Sequence, residues 1–306
     1  MTGMIRISRR RALLALGVGS GLVVAAAGAG VALVDAEVLP GKSVLNNTLG
    51  RCDAAAPAAA LRGTPGPIVT GTMRSVRRRR EVGFAIAYPP GYAAGAALPV
   101  CLALHGYGSD ARGAIGCAGY PDFIAGAVRS GMAPFALAAV DGGNGYWHPH
   151  AADDPLGMIF DEFLPLLRTR GLDVSRPAVA GWSMGGYGAL LCGLTRPDTF
   201  AAIVASSPAI FHSYADAKRV NPGAYDSARE WAAYDMTARA RELTGLPVHI
   251  AIGAADPFAP AVATLRGRMA DPSAVRVATG CHDGRFWTWA APDQVRLIGS
   301  ALAGRS

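Results

Sequence analysis

Ser183 lies in AVAGWSMGGYGALL (178–191), where an apolar run breaks into glycines and resumes with helical spacing. The pentapeptide Gly181-Trp182-Ser183-Met184-Gly185 fits G-x-S-x-G. That pattern marks a strained strand-to-helix turn that lifts a serine hydroxyl above a sheet. Gly181, Gly185, Gly186 and Gly188 crowd the same stretch. Each glycine costs backbone entropy, so a steric demand must require them. A serine hydroxyl is a weak nucleophile at neutral pH. It needs a general base, and the base needs an orienting carboxylate.

Three histidines follow Ser183 in the chain: His212, His249 and His282. His282 sits in TGCHDG, just past the last apolar strand, and is the expected base. His249 lies inside PVHIAIG as a core or face residue, and His212 follows SSPAIF near the mouth of the site. Asp256, delivered by VHIAIGAADPF, is the expected carboxylate. Asp216, Asp235, Asp271 and Asp283 read as surface or helix-capping residues. An oxyanion formed at Ser183 needs backbone N–H donors. Met184 supplies one, and Tyr107 in LHGYGSD supplies the other, with Gly106 allowing close approach and His105 bracing the loop. His105 and Gly106 therefore border the substrate. Tyr146 and Trp147, in DGGNGYWHPHAADDP, are expected to wall the pocket together with Trp287. The same loop carries His148, His150, Asp153 and Asp154, a donor set that could hold a metal. The serine chemistry needs none, so neither a metal nor another cofactor is expected.

These residues need a scaffold. IVTGTMRS, EVGFAIA, LPVCLAL, PFALAAV, RPAVAGW, FAAIVAS, LPVHIAIG and VRVA read as strands, and most alternate with helical stretches. Continuous apolar runs suit strands buried on both faces. The expected class is α/β, with a mostly parallel central sheet and helices on both faces. Such sheets bind ligands at the carboxyl ends of their strands. Residues 211–245 form the longest piece between strands and are expected to hold one or two helices and part of a cap.

The 306-residue chain is 51% apolar and 17% charged, which excludes global disorder. Its net charge is +7, of which residues 1–36 hold +3 through Arg6, Arg9, Arg10 and Arg11 against Asp35. The remaining +4 is mild, and no nucleic-acid module is present. Arg77-Arg78-Arg79-Arg80 reads as a solvated hairpin or loop, with contact to an anionic envelope surface as its rival. SRRRALLALG opens an apolar run reaching Val34, a pattern similar to a twin-arginine export signal. An uncleaved membrane anchor is the alternative, since 23 residues span a bilayer. The expected organisation is a signal or anchor over 1–36, a linker over 37–66 and a catalytic domain over 67–306. The domain would then lie in the periplasm, cell envelope or medium. Five cysteines show no metal spacing. Cys52 with Cys117 is the expected bridge, and Cys101 and Cys192 are expected as buried apolar residues.

YPPGY (88–92), LPVCLALHGYGSD (98–110), GWSMGGYGAL (181–190), GAADPF (253–258) and GCHDGRFW (280–287) together resemble the esterase D-type branch of the α/β-hydrolases. That branch includes feruloyl esterases, S-formylglutathione hydrolases and secreted mycolyltransferases. The resemblance covers roughly 66–303. It implies the α/β-hydrolase fold, a triad of Ser183, Asp256 and His282, and oxyanion donors at Tyr107 and Met184. His282 and Trp287 match the family's H-x-x-x-x-W ending, whereas loop 211–245 matches no lid of the family. The expected function is an exported serine esterase acting on small-molecule or lipid esters. An acyltransferase passing the acyl group to a sugar or lipid alcohol is the first alternative. A non-catalytic envelope-binding protein is the second.

Overall fold

The computed structural model describes residues 42–52 and 59–304, together with Val31. The paired arginines and the rest of the apolar run assigned to export lie outside the described residues. Eight strands form one sheet: β1 (Ile68–Ser75), β2 (Arg80–Ala87), β3 (Pro99–Leu104), β4 (Ala136–Val140), β5 (Asp173–Trp182), β6 (Ala202–Ser206), β7 (Val248–Gly253) and β8 (Val275–Ala278). Their spatial order is β1-β2-β4-β3-β5-β6-β7-β8. β1, β2 and β4 pair antiparallel, and all pairs from β4 to β8 are parallel. This is the expected mostly parallel sheet of the α/β-hydrolase fold.

Side-chain alternation divides the interior into two layers. Val100, Leu102 and Leu104 of β3 point into a bulky core with Phe84, Ile86 and Val179. Cys101 and Ala103 face the other way, with Ala85, Ala87, Ala178 and Ala180. On β2 and β3 the large residues share one face and the small ones the other, while on β4 the pattern reverses, with Ala136 and Ala138 on the first face and Leu137 on the second. Ten helices are described: α1 (Lys42–Thr48), α2 (Ala111–Gly116), α3 (Tyr120–Arg129), α4 (Pro155–Met158), α5 (Leu164–Thr169), α6 (Met184–Thr195), α7 (Tyr214–Val220), α8 (Ala228–Ala233), α9 (Ala259–Arg268) and α10 (Gly284–Ala303). A π-helical turn, Ile159–Phe163, joins α4 to α5.

Several local expectations change. The last helix, α10, begins at Gly284 and runs through Pro292, a residue type that ordinarily opens a helix and does not sit inside one. Asp283 caps it by accepting from Phe286 N at 3.0 Å. Burial of Phe286, Ala290 and Ala291 offsets the hydrogen bond that Pro292 cannot make. Only part of the arginine run is solvated. Arg78 is 3% exposed and grips both oxygens of Asp153 at 2.6 and 2.8 Å. Arg77 pairs with Asp154 and Asp161, while Arg79 takes a left-handed turn conformation at φ 54°. The run is the expected hairpin turn with Arg77, Arg79 and Arg80 exposed, and Arg78 alone is buried, tying the turn to the loop after β4.

Cys52 bonds to Cys281 rather than to Cys117. Within the stretch read as a linker, Asn47 and Cys52 lie against the loop after β8. Cys117 stays free, its thiol pushed up to about 11 by burial. Cys101 and Cys192 are buried free thiols, as expected. Further along, Arg62 pairs with Asp122 at 2.9 Å. Gly126 lacks the Cβ that would strike the Leu61 carbonyl. Among the described residues no helix is long and apolar enough to cross a membrane.

Candidate active site

The site lies at the carboxyl ends of β3, β5, β7 and β8. β5 ends at Trp182 and α6 starts at Met184, leaving Ser183 alone in the corner at φ 56°, ψ −120°. That conformation is strained for a residue with a Cβ. It is held from several directions. Ser183 N donates to Ser206 O at 3.0 Å, and Ser183 O accepts from Ala209 N at 3.0 Å and Tyr187 N at 3.1 Å. The glycines answer the crowding: a Cβ on Gly181 would strike the Gly185 carbonyl, and one on Gly185 would strike the Leu104 carbonyl.

His282 Nε2 lies 2.8 Å from Ser183 Oγ. His282 Nδ1 lies 2.8 Å from Asp256 Oδ2. Asp256 is wholly buried, and its Oδ1 accepts from Phe258 N at 2.8 Å. A carboxylate can only accept, so Nδ1 carries the hydrogen and Nε2 presents its lone pair to the serine hydroxyl. The imidazole is wedged between two aromatic edges, Phe258 at 5.1 Å and Trp287 at 5.4 Å between ring centroids. Its backbone is also tethered, because His282 N donates to Asn47 Oδ1 at 3.0 Å. Cys281, the preceding residue, carries the bridge to Cys52.

The β3 loop meets the serine corner at Gly106, where a Cβ would touch Trp182 O at 3.4 Å and Ser183 Cβ at 3.5 Å. The next residue, Tyr107, is 57% exposed at the mouth. Met184 opens α6, where first-turn N–H groups have no intrahelical acceptor. His105 is buried beneath the loop. Its Nδ1 donates to Gly106 O at 2.8 Å and its Nε2 accepts from Gly142 N at 2.9 Å. Burial holds this imidazole below its ordinary pKa, which suits the accepting nitrogen. His105 is thus a brace without an exposed face for substrate.

Two pocket expectations need correction. Trp147 has no accessible surface; it packs over Gly142 and Gly188 and donates to His105 O at 3.3 Å. Tyr146 is buried among Tyr187, Phe211 and Tyr225, with centroids 5.3–5.8 Å away. Both take left-handed backbone, φ 54° and 61°, which turns their rings inward. They support the site from below and do not wall it. Trp287, half-buried beside His282, remains at the rim.

Asp283 and Asp271 cap helical turns. Asp216, in the first turn of α7, accepts from the N-cap Ser213 Oγ and pairs with Arg219, and Asp235 accepts from Thr237 N. His212 and His249 are exposed. Asp153 and Asp154 do not join His148 and His150: the first holds Arg78 and the second caps α4 through Gly157 N at 2.7 Å. Sequence reasoning did not single out Asn47 or Phe258 as neighbours of the imidazole. No motif marks Asn47, but the odd cysteine beside His282 was a usable signal.

A β5–serine–α6 corner with this histidine and aspartate, on this sheet order, defines an α/β-hydrolase. The family model described as "Putative esterase" matches residues 75–274, and the chain belongs to that family of carboxylic-ester hydrolases. No curated protein matches the sequence. Among solved structures, a ferulic acid esterase is similar at TM-score 0.67 and 19% identity, covering 78% of this chain and all of its own. An S-formylglutathione hydrolase from Agrobacterium tumefaciens gives 0.63 and 17%, covering 81% and 98%. A ferulic acid esterase from Anaeromyces mucronatus gives 0.61 and 15%, covering 82% and 99%.

Proposed function

We propose that this protein is an exported serine esterase that cleaves carboxylic esters through an acyl-enzyme on Ser183. One observation carries the reading: Ser183, His282 and Asp256 are joined by two contacts of 2.8 Å. In the acylation step His282 Nε2 takes the hydroxyl proton as Oγ attacks the ester carbonyl. The tetrahedral oxyanion is met by the N–H groups of Met184 and Tyr107. His282 then gives its proton to the departing alcohol. A water, deprotonated by the same nitrogen, attacks the acyl-enzyme and releases the acid. Asp256 keeps the tautomer and stabilises the transient imidazolium.

Export is supported by two features at opposite ends of the chain. The N-terminal arginine pair precedes an apolar run. The Cys52–Cys281 bridge suits an oxidising compartment.

The test combines labelling and turnover. A fluorophosphonate should label wild type stoichiometrically and leave Ser183→Ala unmodified. Hydrolysis of p-nitrophenyl acetate and methyl ferulate should fall by about 10⁴-fold or more in that variant. Unchanged turnover would overturn the nucleophile. Glycerol or trehalose added as acceptor should leave free acid as the main product. Acylated acceptor as the main product would make the protein a transferase instead. Fractionation of the native host should place the protein outside the cytoplasm.

A further inference from the structure

The loop after β4 and the segment 211–245, which carries α7 and α8, meet at a cluster that the esterase chemistry does not use. One ligand atom from each of His148, His150 and Glu230 lies within 4.8 Å of the other two. His148 Nδ1 is 3.9 Å and His150 Nδ1 is 4.0 Å from Glu230 Oε1. Both outer nitrogens are held by backbone carbonyls: His148 Nε2 faces Ala224 O at 2.7 Å, and His150 Nε2 faces Gly145 O at 2.8 Å. A carbonyl only accepts, so each of these contacts needs a hydrogen on Nε2, and Nδ1 is the atom each ring turns toward Glu230 Oε1. Fixing the outer nitrogen on a carbonyl is how proteins orient a metal-binding histidine.

Further acceptors surround the same point. Asp226 Oδ1 is 3.2 Å from His150 Nδ1, and Pro149 O is 3.1 Å from His148 Nδ1. The cluster is also rigidly framed. Tyr225 and Tyr234 stack on the His148 ring at 4.8 and 4.5 Å, and His148 itself is wholly buried. Glu230 belongs to α8, whose first turn is fixed by Ser227 capping Glu230 N at 3.1 Å. Carboxylate and carbonyl oxygens converging on the two Nδ1 atoms call for a cation at that point, either a proton on Nδ1 or a metal ion.

We propose that His148, His150 and Glu230 bind a divalent transition metal of the zinc class, with Asp226 within reach as a fourth ligand. Two imidazoles and a carboxylate are a borderline-soft donor set that suits zinc and disfavours calcium or magnesium. Tetrahedral zinc holds its ligand atoms about 3.3–3.5 Å apart. The two contacts to Glu230 Oε1 would therefore close by about half an ångström and the remaining separation, within 4.8 Å, by up to about 1.4 Å, through rotation of the half-buried His150 and Glu230 side chains. Only two of the ligands come from the His-Pro-His loop, and the third comes from a segment about 80 residues later. The ion would be a clip fastening α8 to the loop that supports the serine corner, apart from the reacting atoms.

The test uses untagged full-length protein, stripped with a chelator and titrated with zinc by calorimetry and elemental analysis. One zinc per chain is expected, with a melting temperature about 5 °C higher at saturation. Glu230→Gln and His150→Ala should each weaken zinc at least about tenfold. Fluorophosphonate labelling of Ser183 confirms that each variant is folded. Wild-type binding that survives in both variants, or zinc below about 0.1 per chain, would overturn the site. So would ¹⁵N spectra at pH 7.5 showing both rings doubly protonated with zinc present, since protons would then be the occupying cations.

Discussion

Asp256 illustrates how one buried carboxylate is made to serve a single nitrogen. One oxygen is used by Phe258 N, leaving the other for His282 Nδ1. Asp256→Asn should preserve the fold yet offer the wrong hydrogen-bonding pattern, lowering kcat about 10⁴-fold with KM little changed. Steady-state kinetics on p-nitrophenyl acetate checks this. His105 makes a second residue-scale prediction. Its ordinary pKa is 6.5 and burial lowers it in the folded state. The unfolded chain therefore takes up the proton first as pH falls. The stability contributed by the neutral ring is complete above that ordinary value and is lost as pH drops through the lowered one. Urea midpoints measured from pH 8 to pH 5 should decline, and less steeply in a His105→Gln variant.

At the scale of elements, the β5–α6 corner is the most constrained join in the molecule. The atoms that a Cβ on Gly185 would meet are backbone carbonyls of Leu104 and His105, which cannot swing aside. Gly185→Ala should cost about 3–5 kcal/mol, or prevent folding, in urea unfolding. The β1–β2 turn is anchored differently. Arg78 bridges Asp153 and the Asp141 carbonyl, so it couples the arginine run to the loop after β4. Arg78→Ala leaves those acceptors poorly partnered. Because Asp153 is partly exposed, the expected loss is about 2–4 kcal/mol, checked by the same unfolding assay. The strands and the elbow were readable from apolar runs and glycine spacing. The extension of α10 ahead of Pro292 was not, because proline normally signals a helix start, and here tertiary burial of Phe286 and Ala290 overrides that signal.

On the scale of the whole molecule, residues 42–52 and His282 are held together. The Cys52–Cys281 bridge closes a loop with a sequence separation of 229 residues, and Asn47 holds the His282 backbone. Removing the bridge with Cys52→Ser and Cys281→Ser together should cost about 2–5 kcal/mol. It should also lower kcat more than it raises KM, because the imidazole loses its tether while the rim stays intact. Thermal unfolding and esterase kinetics on the double variant, against wild type kept oxidised, check both parts.

The order of apolar runs, the glycine-flanked Ser183, and the placement of Asp256 and His282 after late strands were enough to specify the class of fold and the three groups that meet. Local sterics and strand periodicity act over a few residues, so they leave a record in neighbouring letters. Which cysteine pairs with Cys52, which way Tyr146 and Trp147 turn, and what surrounds His148 and His150 were decided only by the folded chain. Those outcomes depend on segments far apart in sequence arriving at one point. Composition and spacing carry no information about that arrival until the sheet has set the distances.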